Sequence, residues 1–374
     1  MAKVKTKSEI QKEIVDNLQT KPHGILKLAP RVGKTKLAID IIKREAPKKI
    51  LWATPNEDLK DVAIPGEFKI WKALTYYRKS TVVCWASLSK MKGHYPMIIL
   101  DELQYITAAN VKPLLDGTVT YDYIVALTGT LPKGEDKIEL INKLGLKVLT
   151  SMEIDEAVDQ EMIADYNITV VLTQLESELK TVKAGSKAKP FLQTELAAYQ
   201  YKTKRINSFI FSKRPVPEFM YIDRLHLIRN LESKKKVAEN LLRVLPGRTL
   251  IFASSIEQAE SLCKHTHHSK QKNSDNLKAF IDGKIDRLAC VNSGGVGTTY
   301  RDVDNFIVVQ ANSNKNGDTT QKIARSLVPQ EGYKANIYII GVENTVDIGW
   351  IEKALMDFSP DKVKWVSSRQ YEKR

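Results

Sequence analysis

The chain has no apolar run of about 18 residues, the length a membrane-spanning helix needs, so no transmembrane segment is expected. The opening MAKVKTKSEIQKEIVDNL is basic and has no apolar stretch, so it does not read as a signal peptide. Cysteine is scarce. Cys84, Cys263 and Cys290 are widely separated and odd in number, which suggests reduced, mostly buried thiols rather than a disulfide framework. A cytoplasmic protein is the resulting expectation. Short-period repeats and low-complexity tracts are also missing. The run Cys263-Lys264-His265-Thr266-His267-His268 looks metal-binding, but no second ligand cluster accompanies it. A structural zinc site wants four well-spaced ligands. Cys263 is therefore expected in the core and the histidines in a surface loop.

Positive charge, by contrast, is in excess. The formal net charge is +14, which points towards a polyanionic partner, nucleic acid first. A merely soluble basic protein is the competing reading. At 374 residues there is room for about two domains, and 43% hydrophobic residues are ample for packed cores.

Short apolar runs alternate with helical patterns. Strands are predicted at Gly24–Leu28, Lys49–Ala53, Thr81–Trp85, Met97–Leu100 and Tyr123–Leu127, with a helix over Lys34–Arg44. The runs are continuous rather than alternating, which suits a parallel sheet covered on both faces. After a helical link near Ile154–Ile163 the pattern repeats, at Asn167–Leu172, Thr249–Ala253, Arg287–Val291, Asn305–Val309 and Asn336–Ile340. Two doubly wound α/β domains are expected, residues 1–152 and 153–374, the second with a helical insertion over about 189–245. Ile351, Ala354, Leu355 and Phe358 have the spacing of a core-packing helix.

In the first half, LKLAPRVGKTKLAIDII nearly matches a phosphate-binding loop. The usual pattern has a glycine where this chain has Leu28. The context is nevertheless right: an apolar strand runs into Ala29-Pro30-Arg31-Val32-Gly33-Lys34-Thr35 and then into an amphipathic helix. Backbone N–H groups and the helix N-terminus would face phosphates. Gly33 permits close approach of the backbone. Lys34 would neutralise the β- and γ-phosphates, and the Thr35 hydroxyl would ligate Mg²⁺. A carboxylate at the end of a neighbouring strand should complete the metal site, and Met97-Ile98-Ile99-Leu100-Asp101-Glu102 supplies it. Asp101 would hold the metal through water, and Glu102 would act as general base on the attacking water. Either motif alone has a bland reading, a chance GKT or a helix start. Together they point to an ATP site.

The ordered set resembles the motifs of superfamily 2 helicases and translocases, of the compact kind common in bacteriophages. Ala29 to Thr35 is similar to motif I, which in this superfamily often opens with alanine. Thr54-Pro55-Asn56 resembles motif Ia, Asp101-Glu102-Leu103-Gln104 motif II, and Leu127 to Pro132 motif III. Leu250 to Ser255 resembles motif IV, Val291 to Thr298 motif V, and Gln321-Lys322-Ile323-Ala324-Arg325 motif VI. The resemblance covers nearly the whole chain and implies two tandem RecA-like lobes with ATP between them. Gln321 and Arg325 would then reach the γ-phosphate. It implies an adenine-reading role for Gln11, although the amphipathic helix around Gln11 offers an exposed structural position instead. It also implies that Thr54, Ser254 and Ser293 touch the nucleic-acid backbone.

Two departures stand out. The second arginine expected in motif VI is replaced by Val328, and motif II carries Gln104 where the family has histidine. Gln104 can still hydrogen-bond motif III but has no ionisable ring.

Between Lys180 and Arg214 the only acid is Glu195, among nine basic residues that include Lys202, Lys204 and Arg205. This stretch is either a solvated face or an added DNA-binding surface. Lys234-Lys235-Lys236 precedes Val237, Leu241 and Val244 at helical spacing and is expected on an outer face. A monomer is expected, tracking DNA in preference to RNA, with protein partners in replication or recombination left open. The alternatives are a duplex translocase or branch-migration motor, and an ATP-gated nucleic-acid clamp or loading adaptor.

Overall fold

A computed structural model describes residues 5–186, 188–270, 275–291, 300–311, 318–330 and 332–372. The chain forms two compact units. Of the described residues, one unit comprises those within 5–165 and 327–333; the other comprises those within 166–291, 300–326 and 334–372. This division lies beyond residue 152, where the sequence placed it, because the link helix Ile154–Asp159 stays with the first unit.

The first unit holds six strands: β1 (Gly24–Leu28), β2 (Ile50–Thr54), β3 (Ser80–Cys84), β4 (Gly93–Asp101), β5 (Val119–Thr128) and β6 (Val148–Met152). They lie in the order β3-β2-β4-β5-β1-β6, and every pairing is parallel. The predicted central strands are all present. Every residue of β2 is buried, as expected of a strand covered on both faces. Ile25, Leu51, Ile98, Leu100 and Ile124 from the sheet pack with Leu140 and Ile141 of the helix Glu135–Lys143. Register decides what this core positions. Lys27 aligns with Thr128, Leu127 with Asp101 and Leu100 with Ala53. The carboxyl ends of β1, β5, β4 and β2 therefore finish level, and ligands of open α/β sheets bind at that edge.

The second unit contains β7 (Asp165–Thr173), β8 (Val182–Ser186), β9 (Lys189–Gln193), β10 (Thr249–Ala253), β11 (Thr266–His267), β12 (Arg287–Val291), β13 (Asn305–Val308), β14 (Lys334–Val342) and β15 (Val363–Ser367). Seven of them form a sheet in the order β11-β12-β10-β13-β14-β7-β15, while β8 and β9 make a separate antiparallel hairpin.

Three expectations are corrected here. The insertion begins with the β8–β9 hairpin and continues with the helices Glu195–Phe211 and Glu218–Arg229. The next helix, Glu232–Val244, belongs to the lobe itself, because Val237, Ala238, Leu241 and Leu242 pack against Ile251, Ala289 and Ile307 of the sheet. Secondly, Lys234 is fully buried rather than on an outer face; its ammonium lies 2.6 Å from the Asp347 carboxylate. A charge inside a core needs such a partner. Thirdly, the histidine run is not a surface loop. Thr266 and His267 form edge strand β11 on β12, His268 is buried, and Cys263 is only half-buried.

Candidate active site

The phosphate-type loop leaves β1 at Leu28, which is fully buried, and Ala29 and Val32 are buried behind it. Leu28 is thus the last residue of a core strand, and the tight backbone falls later. Arg31 has φ 69° and Gly33 φ 102°, both in the left-handed region. At Gly33 a Cβ would also come within 2.3 Å of the Gln11 amide nitrogen. Only glycine suits that position. Helix Lys34–Glu45 starts there without a side-chain cap, leaving its first N–H groups available to an anion. Gln11 is buried, and its amide donates to the Val32 carbonyl at 2.6 Å. Pro30, Arg31, Lys34 and Thr35 are half-buried.

At the carboxyl end of β4, Asp101 is buried, and the Trp85 indole N–H donates to its carbonyl at 2.8 Å. Its carboxyl is pushed up from 3.8 to about 7, by burial first and by the neighbouring Glu102 charge second, with Lys34 opposing. The Lys34 ammonium lies beside motif III, 3.7 Å from where a Gly129 Cβ would stand. Glu102 takes a left-handed backbone, φ 53°, the kind of outlier that marks functional positions. The Gln104 amide donates to the Glu102 carboxylate at 2.8 Å. Its carbonyl oxygen lies 3.0 Å from the buried Thr128 hydroxyl, which is also 2.6 Å from the Thr130 carbonyl. One hydroxyl proton serves both acceptors, so the contact can shift between them. The expected hydrogen bond from Gln104 to motif III is therefore present, and it links Glu102 to the end of β5.

A prediction follows from Asp101. Below the ordinary carboxylate range both folded and unfolded chains carry its proton, and burial costs nothing. Between pH 4 and 7 the folded chain keeps a proton that the unfolded chain has released, so stability falls with rising pH. Asp101→Asn should stabilise the nucleotide-free protein above pH 7 by a few kcal/mol, at about 1.4 kcal/mol per pKa unit, and so raise its melting temperature. The gain should vanish near pH 4. A melting temperature unchanged across this range would show that the carboxyl titrates normally.

The remaining candidates differ in their settings. Thr54 is fully buried at the end of β2, and its hydroxyl has no hydrogen-bond partner among the described residues. Ser254 is committed internally: its amide and hydroxyl both donate to Gln258, at 2.9 and 3.0 Å. Ser293, with most of motif V, lies outside the described residues. Gln321 lies on helix Asp318–Ala324 and Arg325 just beyond it; both are half-buried. Burial drives the Cys290 thiol up to about 12, with the Tyr300 hydroxyl and then the nearby Arg325 charge pulling the other way. Val328 is buried and contributes packing where a second arginine was expected. On the insertion, Lys202 pairs with Asp223, whereas Lys204 and Arg205 are exposed and Arg205 lies over the Tyr201 ring at 5.7 Å. Trp85 was missed from sequence because an indole anchoring a backbone carbonyl leaves no spacing signal.

No family model matches the chain, and no curated protein sequence matches it. Solved structures do. The ATP-dependent Type ISP restriction-modification enzyme LlaBIII bound to DNA superposes with a TM-score of 0.63 at 14% identity, over 98% of this chain and 31% of that one. The fold is two tandem RecA-like lobes. The helicase domain of Pyrococcus furiosus Hef matches with a TM-score of 0.51 at 12% identity, over 93% and 97% of the two chains. Saccharomyces cerevisiae Dbp5 bound to RNA and ADP BeF3 gives 0.58 at 11%, over 97% and 90%. At such identities the likeness is one of fold. The chain spans about a third of the length of LlaBIII. No described helix is long and apolar enough to cross a membrane.

Proposed function

We propose that the protein is an ATP-dependent motor of the superfamily 2 helicase and translocase type, of the compact bacteriophage kind, moving along or unwinding DNA. The observation that carries this reading is the convergence of Lys34, Asp101 and Glu102 at one sheet edge, with Glu102 wired through Gln104 to Thr128. The residues fit Mg²⁺ and ATP. The glycine cradle at Gly33 leaves no room for a side chain, and Asp101 is a buried carboxyl that a dication would return to its charged form. When bound, Mg²⁺ would neutralise charge developing on the phosphates.

Thr35 and Asp101 would hold the metal, and the amides of Ala29 to Thr35 the phosphates. Lys34 would offset the β- and γ-phosphate charge, and Glu102 would take the proton of the attacking water. Gln11 would serve the nucleotide by fixing the loop as well as by any contact with adenine. Gln321 and Arg325 are assigned to the γ-phosphate by the motif VI resemblance. LlaBIII was solved with DNA and Dbp5 with RNA. The net charge of +14 suits either polyanion, and DNA is the track we favour.

The test is the ATPase rate against single-stranded, duplex, forked and four-way DNA and against RNA. We expect stimulation by DNA that Lys34→Ala abolishes. Absence of stimulation by any of these, in well-folded protein, would overturn the motor. Strand displacement on forks compared with migration of a four-way junction separates an unwinding motor from a branch-migration motor.

The insertion is proposed as an added DNA contact. Its exposed Lys204 and Arg205 stand in a stretch whose only acid, Glu195, is buried. Lys204→Ala with Arg205→Ala should flatten the slope of log K against log salt by about 0.9 for each phosphate that is no longer neutralised. Lys202→Ala should do less, since Lys202 is already paired with Asp223. An unchanged slope returns these residues to an ordinary solvated face.

A further inference from the structure

The helix Lys7–Asp16 presents two donors, one turn apart, to consecutive carbonyls of the phosphate loop. Lys7 donates through its ammonium to the Arg31 carbonyl, and Gln11 through its amide to the Val32 carbonyl at 2.6 Å. Residues i and i+4 share a helix face, so both reach the loop from the same side. The Lys7 ammonium makes a second bond, 3.1 Å, to the carbonyl of Met162, just before β7 begins.

Holding a carbonyl orients the amide across the same peptide, because a planar trans peptide points its O and H in opposite directions. The Arg31–Val32 peptide is held at the carbonyl by Lys7, while its N–H faces the Ala29 carbonyl at 3.4 Å. The Val32–Gly33 peptide is held by Gln11, so the Gly33 N–H is turned away from the helix. The two held carbonyls, of Arg31 and Val32, thus belong to the stretch in which Arg31 and Gly33 take a left-handed backbone.

We propose that Lys7 is a positioning residue of the nucleotide site, which presets the phosphate loop by gripping the Arg31 carbonyl and ties that loop to the Met162 segment. The assignment rests on the nucleotide-site reading above. An ammonium suits this role because it has three donors and its bonds to carbonyls are charge-assisted. The location is adverse for its charge. Burial first, and the Arg31 guanidinium second, lower its pKa from 10.5 to about 8. Lys5, two residues earlier in the chain, is the natural control, since it is exposed and its ammonium pairs with Glu13 rather than with the loop.

The experiment measures ATP affinity, KM, kcat and melting temperature for Lys7→Met, Lys5→Met and wild type. Loss of a charge-assisted bond predicts a rise of about tenfold in Kd and KM for ATP. We expect kcat to be retained, the melting transition to be cooperative, and Lys5→Met to behave as wild type. Lys7→Cys treated with 2-bromoethylamine restores an ammonium at nearly the same reach and should recover most of the lost affinity. A folded Lys7→Met protein with wild-type KM overturns the assignment, as does aminoethylated Lys7→Cys that recovers nothing. If Lys7→Met lacks a cooperative transition, Lys7→Gln replaces it, and unchanged affinity there overturns the assignment equally. Wild-type protein that binds no ATP would instead overturn the nucleotide-site reading, and this assignment with it.

Discussion

Glu102→Gln is expected to lower nucleic-acid-stimulated ATP hydrolysis by about 10²–10⁴-fold, the usual worth of a positioned general base, while ATP still binds. Glutamine keeps the shape of the side chain, and its carbonyl oxygen can still accept the bond from the Gln104 amide that glutamate accepts at 2.8 Å. Proton uptake from water is removed, together with the charge that helps hold the Asp101 carboxyl up. Single-turnover hydrolysis measured beside nucleotide affinity separates the two steps. Hydrolysis at the wild-type rate would take Glu102 out of the base role and leave the chain without an evident one. The same variant tests the reading of the chain as an ATP-gated clamp, which the buried Val328 in motif VI keeps open. A clamp needs ATP binding alone, so the variant should then retain its grip on DNA and its function. Loss of function with intact ATP binding counts against a pure clamp.

The second large effect lies away from the chemistry. Lys234, Gln310 and Asp347 form a closed network inside the second unit. The Lys234 ammonium is 2.6 Å from both the Asp347 carboxylate and the Gln310 carbonyl oxygen, and the Gln310 amide donates to Asp347 at 2.9 Å. The Val342 backbone N–H donates to the same carboxylate at 3.1 Å. Burial pulls the Lys234 pKa below its ordinary value, and Asp347 works against that pull. Lys234→Met should destabilise the protein by about 3–5 kcal/mol, because the carboxylate is left buried without its counter-charge. Lys234→Met combined with Asp347→Leu should recover most of that loss, since a well-packed apolar pair often matches a buried ion pair. Denaturant unfolding of the single and double variants reads both numbers. A single variant as stable as wild type would show that the network carries no net stability.

The central strands were legible because each is a continuous apolar run, and β1, β10 and β12 start and end where the sequence put them. Three further elements were missed for one reason. Strands β6 and β15 lie at sheet edges, and the β8–β9 hairpin stands apart from both large sheets. The hairpin and β15 bury none of their side chains, as in Lys189–Gln193, and β6 buries Met152 alone, so no long apolar run marks them. Lys234 misled for the opposite reason. Its neighbours Lys235 and Lys236 share its chemistry, and only the partner Asp347, far along the chain, distinguishes it.

The sequence by itself determined the two parallel sheets, the strand–loop–helix around Gly33-Lys34-Thr35, and the placing of Asp101-Glu102 at a strand end. These are local patterns, fixed by apolar periodicity and by the backbone needs of a glycine. The tertiary structure alone decided what those residues touch: Lys34 beside Gly129, Glu102 linked through Gln104 to Thr128, and the loop gripped by Lys7 and Gln11. It also withdrew Thr54 into the core and committed Ser254 to Gln258. The physical reason is that burial and hydrogen bonding depend on register and on which segments meet. Those are set by packing between residues distant in the chain, and no spacing within one stretch encodes them.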